Sequence, residues 1–102
     1  MKDDLIEILD TAKHLITQDR AKQHGDAMVQ FNSIAEFWNV YLHGRFGSDI
    51  GTLRDHDVAQ MMVLMKISRD MHGAYNKDTF IDQCGYSALG GVLRGYEYEN
   101  QN

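Results

Sequence analysis

Proline is absent from this 102-residue chain and cysteine occurs once. The lone thiol, Cys84, cannot close an internal disulfide or build a multi-cysteine zinc site, which suits a reducing compartment. No apolar run approaches the length of a membrane span, and Met1-Lys2-Asp3-Asp4 carries no apolar signal region. The expectation is a cytoplasmic protein with no membrane partner. Basic residues are in deficit, 10 against 15 acidic ones, for a net charge of −5. Nonspecific nucleic-acid binding needs a cationic face and is not expected. A nucleotide ligand stays open, because a local Lys/Arg pair or a divalent cation neutralises phosphate. Strand-like alternation, internal repeats, low-complexity blocks and interdomain linkers are missing too. So are a Walker-type loop, a dinucleotide fingerprint and His-Glu-x-x-His. The five histidines share no helical metal-ligand spacing, and Ser68 and Ser87 lack a nucleophile signature.

What remains is an ordinary globular composition, 43% apolar and 25% charged. A mass of 11.7 kDa predicts ~5,900 Å² exposed when folded against ~17,000 Å² unfolded. That is enough burial for one domain over residues 1–102, with a polar tail from Glu97 expected to fray. Helical spacing recurs four times. Leu5, Ile8, Leu9, Ala12, Leu15 and Ile16 mark a first helix from about Asp4 to Thr17, with Asp4 and Glu7 in capping-box positions. Phe31, Ile34, Ala35, Trp38 and Leu42 mark a second, from about Ala27 to His43, behind Asp26 as N-cap. A third runs from about Val58 to His72, with Asp57 and Gln60 as its capping box, and a fourth from about Asp78 to Arg94. Each spans ~24 Å, and four such helices pack as a compact all-α bundle. The connection from Gly44 to His56, carrying Arg45 and Arg54, reads as a surface connector. Gly85, Gly90 and Gly91 either admit a close neighbour or mark a break in the fourth helix.

The third helix is apolar on nearly every side, as a centrally placed helix is, yet it carries Lys66 and Arg69. Either both side chains snorkel to water near the helix C-terminus, or they hold carboxylates or phosphates in an internal polar pocket, since an unpaired buried charge costs several kcal/mol. Anionic candidates are at hand. Asn32, Glu36, Asn39 and His43 form a polar stripe on the second helix. Asp78 and Asp82 lie one turn apart on the fourth, with Tyr86 a turn further. Such carboxylates hold Mg²⁺ when a neighbouring helix adds a third; otherwise they form a solvated acidic face.

In order, the chain reads Arg20-Ala21-Lys22-Gln23-His24-Gly25-Asp26, then Phe31 to Trp38 with Glu36, then Val58 to Arg69 with Met65-Lys66-Ile67-Ser68-Arg69, then Asp78-x-x-x-Asp82-x-x-Gly85-Tyr86. This series, over most of residues 5–94, resembles a family of small phage- and prophage-encoded domains of uncharacterised function. Those in turn look similar to the MazG-like all-α nucleotide pyrophosphohydrolases. The resemblance implies a MazG-like bundle assembled as a dimer or tetramer. It also implies a Mg²⁺ ion held by acids on two helices, which activates water against a nucleoside triphosphate to leave a monophosphate and pyrophosphate. Carried over residue by residue, Glu36 and Asp82 are catalytic and metal-binding, with Asp78 as a further metal ligand. The Glu-Glu-x-x-Glu and Glu-x-x-Asp clusters of those hydrolases are thinned here: Asn32, Ala35, Asn39 and Thr79 stand where acids would. Lys66 and Arg69 are the expected phosphate contacts, Arg20 and His24 further ligand contacts, and Tyr86 or Trp38 the expected base contact; in a non-catalytic binder Arg20 and Lys77 join Lys66 and Arg69 on the phosphates. The alternative is a non-catalytic nucleotide binder that sequesters a signal of host antiphage defence. In either case the expected setting is the cytoplasm, that of the host cell if the chain is phage-encoded.

Overall fold

The computed structural model describes residues 1–19 and 26–101, which hold four α-helices and no strand. Helix α1 spans Lys2–His14 and continues into one π-helical turn, Leu15–Asp19. Helix α2 spans Ala27–Phe46, α3 Asp55–His72 and α4 Lys77–Asn100, with a short 3₁₀ turn at Ser48–Ile50. The all-helical expectation is met. No helix among the described residues is long and apolar enough to cross a membrane.

Local chemistry explains the boundaries. Asp26 caps α2 as expected, its Oδ1 accepting from the Met28 N–H at 2.8 Å. Helix α1 starts earlier than the Asp4/Glu7 pattern predicts, because the Met1 ammonium sits 3.7 Å from the Asp4 carboxylate and steadies the first turn. Helix α3 also starts early. Asp57 is not its N-cap; it sits one turn in, and its Oδ2 accepts the Arg54 N–H at 2.8 Å. Gly47 and Gly51, both at φ +93°, turn the chain on either side of the 3₁₀ turn, in the left-handed region that only glycine enters without strain. Helix α4 is unbroken through its glycines and continues past Glu97 to Asn100, so the expected frayed tail is helical almost to its end.

The core is small. Phe31 and Ala35 of α2, Val58 and Ala59 of α3, and Leu93 of α4 form its buried centre. Ile34, Trp38, Met62, Tyr86 and Leu89 pack around it, half-buried. Helix α3 lies most extensively against α4, α2 packs on α3, and α1 packs on α4. Gly90 permits the α3–α4 approach: a Cβ there would stand 3.3 Å from the Ala59 Cβ. Gly85 does the same for α1, where a Cβ would meet the Ile16 Cγ2 at 2.9 Å. The close-neighbour reading of these two glycines is the one the fold uses. The expectation that α3 is surrounded along its length holds only at its start. Val58 and Ala59 are fully buried, but Leu64 and Met71 are 63% and 71% exposed.

Candidate functional site

Two polar assemblies occupy opposite ends of α4. Near its N-terminus, Lys66 Nζ of α3 meets Asp82 Oδ2 of α4 at 2.8 Å, with both side chains largely removed from solvent. The Lys66 charge is thus met by a carboxylate within the fold. Arg69, one turn further along α3, is exposed. Lys77 bonds Glu7 of α1 at 2.6 Å on the surface, and that hydrogen bond raises the Lys77 pKa above its ordinary 10.5. Asp78 is exposed in the first turn of α4, where its N–H donates to the Asn76 side chain at 2.9 Å. The small cavity beside Asp82, walled by Ile16, Ile81, Gly85 and Tyr86, holds only about 10 Å³. That is room for about one water at most, so a nucleotide has no room there. Tyr86 and Trp38 pack on the hydrophobic centre, with the Tyr86 ring 6.2 Å from that of Phe31. Arg20 and His24 lie outside the described residues.

A roomier site lies at the other end of α4. A cleft of about 540 Å³ opens between α2, the 47–54 connection, the start of α3 and the last turns of α4. Small-molecule sites typically occupy ~300–1,000 Å³. Its α2 wall is the polar stripe seen in the sequence: Asn32, Glu36 and Asn39 line it. Arg54 and Asp55 contribute from the α3 start, and Tyr96, Glu97 and Asn100 from α4. The cleft thus pairs three carboxylates (Glu36, Asp55 and Glu97) with the Arg54 guanidinium and the partial positive charge of a helix N-terminus.

Its walls are fastened. The Asn39 side chain donates to Leu53 O at 2.9 Å and accepts from Leu53 N at 2.8 Å, so one amide holds the connection to α2 by both backbone groups of a single residue. His43 Nε2 and Gly51 O lie 2.6 Å apart, a second tie along the same stripe. Glu97 Oε2 is buried against His56 Nε2 without hydrogen-bond alignment, and Glu97 Oε1 stands 3.9 Å from Arg94 Nη1.

The structure therefore does not bring Glu36, Asp78 and Asp82 to one point. Glu97 shares the cleft with Glu36, and Asp82 lies fifteen residues before Glu97 on α4, about 22 Å along the axis. Among the described residues, no three His, Cys, Asp or Glu side chains converge closely enough to hold a metal ion. The described residues by themselves therefore form no three-ligand cage for Mg²⁺. Sequence reasoning missed Asp55, Tyr96, Glu97 and Asn100. A signal for the last three was present, since Leu93, Tyr96, Glu97 and Asn100 continue the three- and four-residue steps of α4.

Comparison with known proteins agrees with phage kinship and goes no further on activity. The family model described as "Domain of unknown function (DUF6378)" matches residues 7–94. The chain is similar to the Gene 55 protein of Mycobacterium phage L5, 37% identical over 84 residues, covering 82% of this chain and 50% of that one. It is similar to the Gene 55 protein of Mycobacterium phage D29 at 38% over 90 residues, covering 88% and 54%. The chain spans about half the length of these curated relatives. No solved structure matches it.

Proposed function

We propose, for a chain that belongs to the DUF6378 family of unknown function, that the cleft between α2, α3 and α4 handles a nucleotide. The ligand is taken as its magnesium complex, with the ion arriving on the phosphates. The observation that supports this is the pairing of opposite charges in one cleft of ligand size. Arg54 and the α3 N-terminus suit phosphate oxygens, while Glu36 and Asp55 suit the cation that those oxygens carry. Mg²⁺ keeps several waters and is bound by one or two carboxylates plus substrate phosphates, so an ion delivered by the ligand does not need a three-acid cage. The activity that follows is hydrolysis of a nucleoside triphosphate to its monophosphate and pyrophosphate. Water adds at the α-phosphorus, pyrophosphate leaves, and Glu36 accepts the proton. The reading rests on a MazG-like bundle acting as a homo-oligomer, with Lys66 and Asp82 reassigned from the ligand to the scaffold. A second reading, capture of a nucleotide signal without turnover, is favoured by the thinned carboxylate set, which leaves no three metal-ligating side chains converging among the described residues.

The test is incubation with Mg²⁺ and each common ribo- and deoxyribonucleoside triphosphate, followed by anion-exchange chromatography, with calorimetric titration alongside. Monophosphate and pyrophosphate in equal amounts, lost in a folded Glu36→Gln variant, support hydrolysis. Intact nucleotide recovered from a tight complex supports capture. Neither binding nor turnover across mono-, tri- and cyclic nucleotides removes both readings.

A further inference from the structure

The cleft changes character along α2. Its α2 wall carries Met28, Asn32, Glu36 and Asn39 at four- and three-residue steps. Asn39 holds Leu53, so Arg54 and Asp55 stand at the Asn39 end. Asn32 and Met28 lie about 10–17 Å back along the axis, and neither is charged. Tyr96 of α4 closes that end. Met28, Leu93 and Tyr96 also line the neighbouring pocket of about 480 Å³, which puts the three side by side. The Met28 and Tyr96 side chains stay open, at 46% and 51% exposure. Asn32 and Asn100 add exposed amides at the edge. Among the described residues, neither amide is hydrogen-bonded to another residue.

Such an end suits a flat ring with a polar rim. A tyrosine face stacks on any base, a thioether packs softly against an aromatic ring, and a carboxamide offers a base edge both an acceptor and a donor. Charge then chooses among the rings. Glu36 is one turn from Asn32 and has no cation beside it among the described residues. Glu97 follows Tyr96 and is backed by His56 and Arg94. The guanidinium that lines the cleft, Arg54, belongs to the other end. A base edge at Asn32 therefore sits in a negative field. An exocyclic amine turns hydrogens toward that field, whereas the O4 carbonyl of uracil or thymine turns a lone pair toward it. We infer that this end of the cleft is a base slot that selects nucleotides of adenine, cytosine or guanine over those of uracil or thymine. Tyr96 is its stacking platform and Asn32 reads the amine-bearing edge. The inference rests on the nucleotide reading of the same cleft and deepens it to a class of base.

Calorimetric titration of the whole chain tests it. The probes are the magnesium complexes of the α,β-methylene triphosphates of all five bases, which cannot release pyrophosphate, and magnesium tripolyphosphate, which has no base. The amine-bearing analogues are expected to bind about tenfold or more tighter than those of uracil and thymine, with tripolyphosphate weaker still. Tyr96→Ala is expected to weaken the amine-bearing analogues by about tenfold and to leave tripolyphosphate unchanged. Tyr96→Phe, which keeps the ring, should bind like the parent. Asn32→Leu should bring the ratio between the two classes of base toward one. Both positions are exposed, so helical circular dichroism should be unchanged throughout. Equal affinity for all five bases, a preference for uracil or thymine, or a Tyr96→Ala chain that binds like the parent overturns the base slot and leaves the nucleotide reading standing. A Tyr96→Ala loss shared equally by tripolyphosphate does the same. No affinity for any of the probes overturns both.

Discussion

Lys66→Met is the sharpest test of how this fold manages its internal charge. The substitution keeps an unbranched chain of similar length on α3 and removes the ammonium 2.8 Å from Asp82, leaving that carboxylate only 16% exposed. Two limits bracket the cost. A solvent-exposed ion pair contributes ~0–1 kcal/mol, and removing one partner of a fully buried pair costs ~3–5 kcal/mol. With 13% and 16% of the side chains exposed, and with Asp82 keeping a further interaction, the pair lies between the two limits, and a loss of about 1–3 kcal/mol is expected. For about 100 residues that corresponds to ~5–15 °C in Tm. Urea unfolding at one fixed protein concentration should show the midpoint fall with the slope unchanged. Asp82→Leu alone should cost a comparable amount. The double variant Lys66→Met/Asp82→Leu should recover most of the loss, because an apolar pair of similar volume replaces a costly buried ion pair. The coupling energy from the four proteins isolates the pair itself. A single-variant loss under ~0.5 kcal/mol, the scale of an ordinary surface substitution, or strict additivity in the double variant, would refute a structural role. Turnover lost in Asp82→Asn at temperatures where it is fully folded would return Asp82 to the reacting site.

Further expectations concern the glycines, the surface tether and the cleft. Gly90→Val should destabilise by ~1–3 kcal/mol, since even its Cβ stands 3.3 Å from Ala59 on the facing helix. Gly91→Ala, one residue on and with open space around it, should stabilise by ~0.4–1 kcal/mol; chemical denaturation reads both. The Lys77 pKa is raised in the folded state by Glu7. The small stabilisation it brings is therefore complete below the ordinary 10.5 and is lost as pH climbs through the raised value. A Tm series from pH 9 to pH 12 should lose part of its alkaline slope in Lys77→Met. Asn39→Asp should loosen the 47–54 connection, seen as faster amide exchange at Leu53 with the α3–α4 core still protected.

How much of this was legible beforehand depends on whether a property is local. The helices were readable from spacing because Phe31, Ile34, Ala35 and Trp38 announce their own period, and Asp26 announced a boundary because capping acts within three residues. The α2 polar stripe was readable for the same reason, and it does line the cleft. The partner of Lys66 was not readable, because Asp82 is sixteen residues away and only the crossing of α3 over α4 joins them. Glu97 was hidden differently. Polar composition alone suggests a loose end, whereas His56 on another helix holds it in place. Grouping Glu36 with Asp82 assumed that both helices present their acids at the same height, and no sequence period records height.

Asn39 serves Leu53 as a neighbouring strand would serve it, offering one donor and one acceptor at the right separation. That economy leaves the grip open to the smallest of genetic accidents. A single-base change from an asparagine to an aspartate codon keeps the shape and deletes the donor. The new negative oxygen would then point at a carbonyl and push where the amide had pulled. The 47–54 connection would then hang on the His43–Gly51 contact alone along that stripe.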